Sequence, residues 1–219
     1  NELMSGKGKM VWKDGSEYDG DWKDDERHGK GKEKLASGDH YEGDYVDGFR
    51  SGEGVFLHSN GAYYIGHFEN DTRNGLGKFT YEQESEAAVY AGEFKDGLSH
   101  GYGKQVWKDG AKYEGDWRDG KANGKGTFYH LNGDIYEGEF VEDRANGYGV
   151  YYHKNGSKYM GTWINDLKDG QGKEEWEDGA FYDGGFKEGR KHGHGTYFWS
   201  DGSTYTGGWI NNNIEGSGK

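Results

Sequence analysis

"DGAKYEGDWRDGKANGKG" occupies residues 109–126. It has close relatives in "DGSEYDGDWKDDERHGKG" at 14–31 and "DGSTYTGGWINNNIEGSG" at 201–218. Each contains a turn pair such as Asp109-Gly110, a Tyr-x-Gly-x-aromatic signature and a Gly-x-Gly pair. The Tyr signature begins at Tyr18, Tyr41, Tyr64, Tyr90, Tyr113, Tyr136, Tyr159, Tyr182 and Tyr205. Gly-x-Gly recurs from Gly6/Gly8 to Gly216/Gly218 in steps of 23 residues, lengthened once to 26 between Gly75 and Gly101. A fixed period of this size is the mark of a repeat array.

Each unit reads as a β-hairpin. "GKGKMVW" and "EYDGDW" are short alternating runs on either side of Asp14-Gly15. Residues two apart on a strand share a face. A two-residue loop would put Tyr18 on the face opposite Trp12. A three-residue loop, Lys13-Asp14-Gly15, pairs Trp12 with Ser16, Met10 with Tyr18 and Gly6 with Trp22. All the rings then share one face, so a type I turn with a left-handed Gly bulge is predicted. That face sets large rings beside bare glycines, which a ring can cover. The other face carries Lys7, Lys9, Asp19 and Asp21. A lone hairpin is marginal in water, so stacked neighbours must close the ring layer. The predicted fold is all-β: an elongated, twisted single-layer antiparallel meander of stacked β-hairpins. It forms one array over residues 1–219, cut from a longer chain.

Composition supports an ordered array. Among 219 residues, 43 are Gly and only 31% are hydrophobic, with net charge −13. Such values usually accompany disorder, but Pro is absent and aromatics reach 16%. The acidic balance disfavours phosphate backbones and anionic lipid surfaces. The absence of Cys excludes disulfides and thiolate metal sites. No apolar run approaches the ~20 residues of a membrane helix.

These residues carry a resemblance. "YEGDWRDGKANGKG" at 113–126 and its relatives resemble the MORN repeat (membrane occupation and recognition nexus) over nearly the whole chain. The resemblance implies a twisted sheet of hairpins that serves as a scaffold, with no catalysis by the repeats and no cofactor. It also implies a cytoplasmic place at cytoskeletal or ciliary structures, homodimers, and a partner peptide or helix held on the array. The chain departs from the pattern at Tyr45, which replaces Trp or Phe, and at Leu35 with Glu33 beside it. It departs again at "EQESEAAV" over 82–89, where a longer acidic loop bearing Glu82, Glu84 and Glu86 is predicted.

Other chemistry is weighed against this background. Gly-x-Gly with no helix after it, repeated ten times, is not a dinucleotide loop. His58, His130 and His153 share one repeat slot, but two strands separate His130 from His153 by about 10 Å, too far for one ion. Asp24-Asp25-Glu26 lacks EF-hand spacing and reads as a solvated connecting loop. No catalytic, cofactor or metal residue is expected. The expected partner-binding face is Trp12, Tyr18, Trp22, Trp107, Tyr113, Trp117, Tyr136, Tyr159 and Trp163. Tyr63, Tyr129, Tyr152 and Phe198, on the opposite parity, offer a second patch. Self-association is expected through Tyr197, Phe198, Trp199, Tyr205 and Trp209, because an end strand templates pairing. A peripheral membrane or phosphoinositide adaptor is the alternative, as is an accessory domain of a larger enzyme.

Overall fold

The computed structural model describes residues 3–216 and 218; Asn1, Glu2, Ser217 and Lys219, at the limits of the expected array, lie outside them. Nineteen strands and no helix occur among the described residues. The chain divides into two compact units, residues 1–109 with 117–120, and residues 110–116 with 121–219. Within each, antiparallel strands pair with their neighbours in the chain.

The first unit opens with β1 (Gly6–Val11), β2 (Glu17–Lys23) and β3 (Glu26–Lys34). The β1–β2 register pairs Gly6 with Trp22 and Met10 with Tyr18, as parity requires. The Trp12 amide donates to Ser16 O and the Gly15 amide to Trp12 O. Gly15 takes φ +85°, which closes the three-residue loop. The opposite connection is tighter. Asp24 and Asp25 both have positive φ, making β2–β3 a two-residue type I′ hairpin. Equivalent pairs include Asn70-Asp71, Glu142-Asp143 and Asn165-Asp166. Successive turns are tied across one repeat: the Asp25 amide donates to Met4 O, and the Asp25 carboxylate accepts from the Met4 amide. The segment expected to be a solvated connecting loop is exposed, and its connection is this two-residue turn, whose left-handed backbone Asp and Asn tolerate.

The two glycines of Gly-x-Gly have different tasks. The first lies in a bulge at positive φ, as at Gly29, Gly52 and Gly147. The second joins a seam crossing the strands, in which Gly8 pairs with Gly20, Gly20 with Gly31 and Gly31 with Gly43. In the second unit the same seam runs Gly138, Gly149, Gly161 and Gly172. Tyr18 lies across Gly31, and Tyr136 across Gly149, so that any Cβ there would overlap the ring. The Tyr18 hydroxyl donates to Asp21 O, and the Tyr136 hydroxyl to Glu139 O. Close backbone approach under a ring is what requires glycine here.

On these seams the rings form an edge-to-face ladder. Centroids of Tyr18–Trp22, Tyr18–Tyr45, Tyr41–Phe68 and Tyr64–Phe68 are each 5.1 Å apart. In the second unit Tyr136–Phe140, Tyr136–Trp163 and Tyr159–Trp163 stand at 5.1, 5.3 and 5.1 Å. Such pairs contribute ~0.5–1.5 kcal/mol beyond their burial. Trp22, Trp117, Trp163 and Trp209 each donate Nε1–H to a seam carbonyl.

The extra residues of the fourth hairpin form a loop between β7 (Thr72–Thr80) and β8 (Ala87–Lys95), both intact. Lys108 closes it, donating from its ammonium group to the carbonyls of Glu82 and Gln83. The opposite face carries cross-strand ion pairs, Lys7–Asp21 at 3.0 Å and Lys30–Asp44 at 2.7 Å.

Candidate partner-binding face

The aromatic face is more closed than its composition suggests. Tyr18 and Tyr159 are 0% exposed, and Trp22, Tyr113, Trp117, Tyr136 and Trp163 are also buried. Seven of the nine residues expected to meet a partner thus form the floor of the face. Trp12, 41% exposed, and half-buried Trp107 stand on its rim. The physical reason is the seam: each Tyr settles onto glycines and is edged by rings of two successive repeats.

What differs along the face is the residue across from the second ring. Arg27 pairs with Trp22, Arg50 with Tyr45, Arg73 with Phe68, Ser99 with Phe94, Ala145 with Phe140, Lys168 with Trp163, Lys191 with Phe186 and Ile214 with Trp209. Most of these side chains are cations that lie over rings. The Arg50 guanidinium is 4.9 Å from the Phe56 centroid, and Arg73 is 4.8 Å from Phe79. Lys168 is 4.8 Å from Tyr159, and Lys191 is 4.8 Å from Trp176. Burial pushes the Arg73 guanidinium below its ordinary value.

Two acids organise these cations. Glu33 accepts from Arg27, from Arg50 Nε at 3.2 Å and from the Tyr45 hydroxyl at 3.1 Å. The departures at Glu33 and Tyr45 are therefore one feature, since a Phe or Trp at position 45 would have no hydroxyl to donate. Burial, then the charge of Glu33, raise the Tyr45 phenol. Glu174 plays the matching part in the second unit, 2.5 Å from Lys168 Nζ and 3.5 Å from Lys191 Nζ.

At Ala145 the side chain is a methyl group, and a cavity of about 280 Å3 opens there. Phe128, His130, Tyr136, Phe140, Tyr151 and Trp163 line it, with Asp143 and Asp166 also contributing. Tyr151 is held upright by its hydroxyl bond to Asp134 Oδ2 at 2.9 Å. The Lys154 amide, then the Tyr151 hydroxyl, keep the Asp134 carboxyl below its ordinary range. Burial lowers the His130 imidazole, favouring its neutral form near pH 7. Sequence reasoning missed Ala145; aligning repeats on the slot opposite the second ring would have marked it, with Ser99 and Ala122, as a position without a cation.

His130 and His153 flank Tyr151, at 5.4 and 4.7 Å between ring centroids. No cluster of three or more metal-ligating side chains occurs among the described residues. Of the residues expected in self-association, Phe198 and Trp199 are exposed, Tyr197 and Tyr205 are half-buried, and Trp209 is buried. On the opposite face Tyr152 is exposed and Tyr63 and Tyr129 are half-buried, while Phe198 stacks on Phe181 at 4.5 Å.

Fold and face together define a β-hairpin repeat protein whose side chains vary over a constant glycine–tyrosine lattice. The chain belongs to the MORN repeat family, whose model matches ten consecutive segments, residues 3–17, 18–40, 41–63, 64–85, 90–112, 113–135, 136–158, 159–181, 182–204 and 205–219. A search of the curated proteins finds no match. Among solved structures the chain is similar in fold to a variant of the TCP10 domain of Danio rerio CPAP. There the identity is 11% and the TM-score 0.50, over 92% of this chain and 93% of that one. The wild-type TCP10 domain of Danio rerio CPAP in complex with a peptide of Danio rerio STIL matches at 12% identity and TM-score 0.44, over 94% and 91%.

Proposed function

We propose that this chain is a non-catalytic scaffold that holds a protein segment along its aromatic face and joins a second copy through its last repeats. The observation that carries the reading is the cavity at Ala145, walled by Phe128, Tyr136, Phe140, Tyr151 and Trp163. Aromatic side chains in a pocket are the usual anchors of protein interfaces. Membership of the MORN family supports the scaffold role, and a cytoplasmic setting at cytoskeletal or ciliary structures is the one its resemblance implies. Phe198 and Trp199, exposed in the last complete hairpin, are the residues left to carry self-association.

A photo-crosslinking amino acid placed at His153, on the aromatic face, and at Tyr148, on the opposite face, tests the main claim in the source cell. Partner adducts from His153 and none from Tyr148 are expected. Adducts from Tyr148 alone would contradict it. Light scattering of the full chain should report a dimer that Phe198→Ser with Trp199→Ser converts to a monomer. A wild-type monomer at micromolar concentration would remove self-association from the reading.

A further inference from the structure

We infer that the cavity at Ala145 receives a lysine or arginine side chain of an extended partner segment, replacing the cation that five other repeats supply from their own chain. This rests on the scaffold reading and names the chemistry of its partner. The slot opposite the second ring holds Arg27, Arg50, Arg73, Lys168 and Lys191 in five other repeats, and Ser99, Ala122 and Ile214 in the remaining ones. Each of those cations lies over rings of the Tyr-x-Gly-x-aromatic signature. At Ala145 the same kinds of ring are in place, Tyr136, Phe140, Tyr151 and Trp163, and no Lys or Arg lines the cavity.

The acidic rim matches as well. Arg50 Nε is 3.6 Å from Asp71 in the turn of the next repeat, and Asp71 Oδ1 accepts from the Arg50 amide at 2.9 Å. Asp166 holds the same place relative to Ala145, accepting from its amide at 2.8 Å. A cation entering the cavity therefore meets π faces and a carboxylate already arranged as Arg50 meets them. A desolvated cation–π contact of this kind discriminates strongly against a neutral isostere.

The test selects binders of the full chain from a displayed library of random twelve-residue peptides, then varies both sides. In each binder, Lys is replaced by norleucine or Arg by citrulline, one at a time. In the protein, Ala145→Lys fills the cavity with the side chain that Lys168 and Lys191 place in their own slots. Tyr151→Leu removes a ring while retaining an apolar wall, and circular dichroism checks both folds. The inference expects neutralising one basic residue to weaken binding about tenfold, with a comparable loss on Ala145→Lys and a smaller one on Tyr151→Leu. Binders that lose affinity on Ala145→Lys but ignore neutralisation overturn the cation and leave the peptide scaffold standing. Binders indifferent to both protein variants, or no binder at all, overturn the cavity and the aromatic-face reading together.

Discussion

The surroundings of Arg50 and of Ala145 are built to one plan. Each lies across from a ring, Tyr45 or Phe140, beside a Tyr laid on a glycine seam, with a type I′ Asp from the next repeat bonded to its amide. Around Arg50 the face is filled by guanidinium groups and sealed by Glu33 and Tyr45. Around Ala145 it opens into a ring-walled cavity. Backbone and rings are thus common to the two regions, and the side chain in the slot opposite the second ring is what differs between them.

The largest effects should come from breaking what the two regions share. Gly54→Ala would drive a methyl group into Tyr41, and Gly149→Ala one into Tyr136. Each should cost about 3 kcal/mol in urea titrations. A loss under ~1 kcal/mol at either site would show that the rings do not rest on glycine there.

Glu33 separates the regions. Glu33→Ala should cost about 3 kcal/mol, because it strands part-buried Arg27, Arg50 and the Tyr45 hydroxyl. Glu33→Phe combined with Tyr45→Phe should recover much of that, since Phe56 and Phe79 hold the same slot elsewhere. A double mutant no better than Glu33→Ala would uncouple the two positions. Neither change should alter peptide binding at Ala145.

Alkaline pH should weaken both regions. Burial pushes Tyr64 and Tyr151 up to about 12, and Tyr41 and Tyr136 also rise. An unfolded tyrosine ionises near 10, so above that pH the unfolded chain has released more protons. Denaturant midpoints should fall as pH rises beyond 10. Constant midpoints to pH 11 would contradict the buried ladder.

The smallest effect belongs to His130, beside the cavity. Its folded value lies below that of an unfolded imidazole, about 6.5, because burial opposes its charge. Between those two values the unfolded chain binds more protons, so stability should rise with pH up to the unfolded value. His130→Phe should flatten that rise, as read from midpoints between pH 5 and 7; an unchanged slope would assign it to other groups.

Much of the lattice was legible because its signals are local and periodic. Parity alone fixed the loop at Lys13-Asp14-Gly15, the Met10–Tyr18 pair and the shared face of the rings. The tight Asp24-Asp25 turn was not read, although paired left-handed Asp and Asn residues are a recognisable signal. Ring burial depends on how closely Tyr18 settles on Gly31, a backbone distance that no composition reports. The bond from Tyr45 to Glu33 crosses strands, yet both depart from the repeat on the paired strands of one hairpin. Ala145 carries no chemistry of its own, and only comparison with Arg50 and Lys168 gives it meaning.

That comparison is tested most directly by placing a lysine in the receptive slot. In Ala145→Lys, proton NMR of the introduced ε-methylene group reports whether the cation lies over Tyr136, Phe140 and Trp163. The account predicts an upfield ring-current shift with thermal stability equal to or above wild type. A random-coil position, or a destabilised fold, would contradict it.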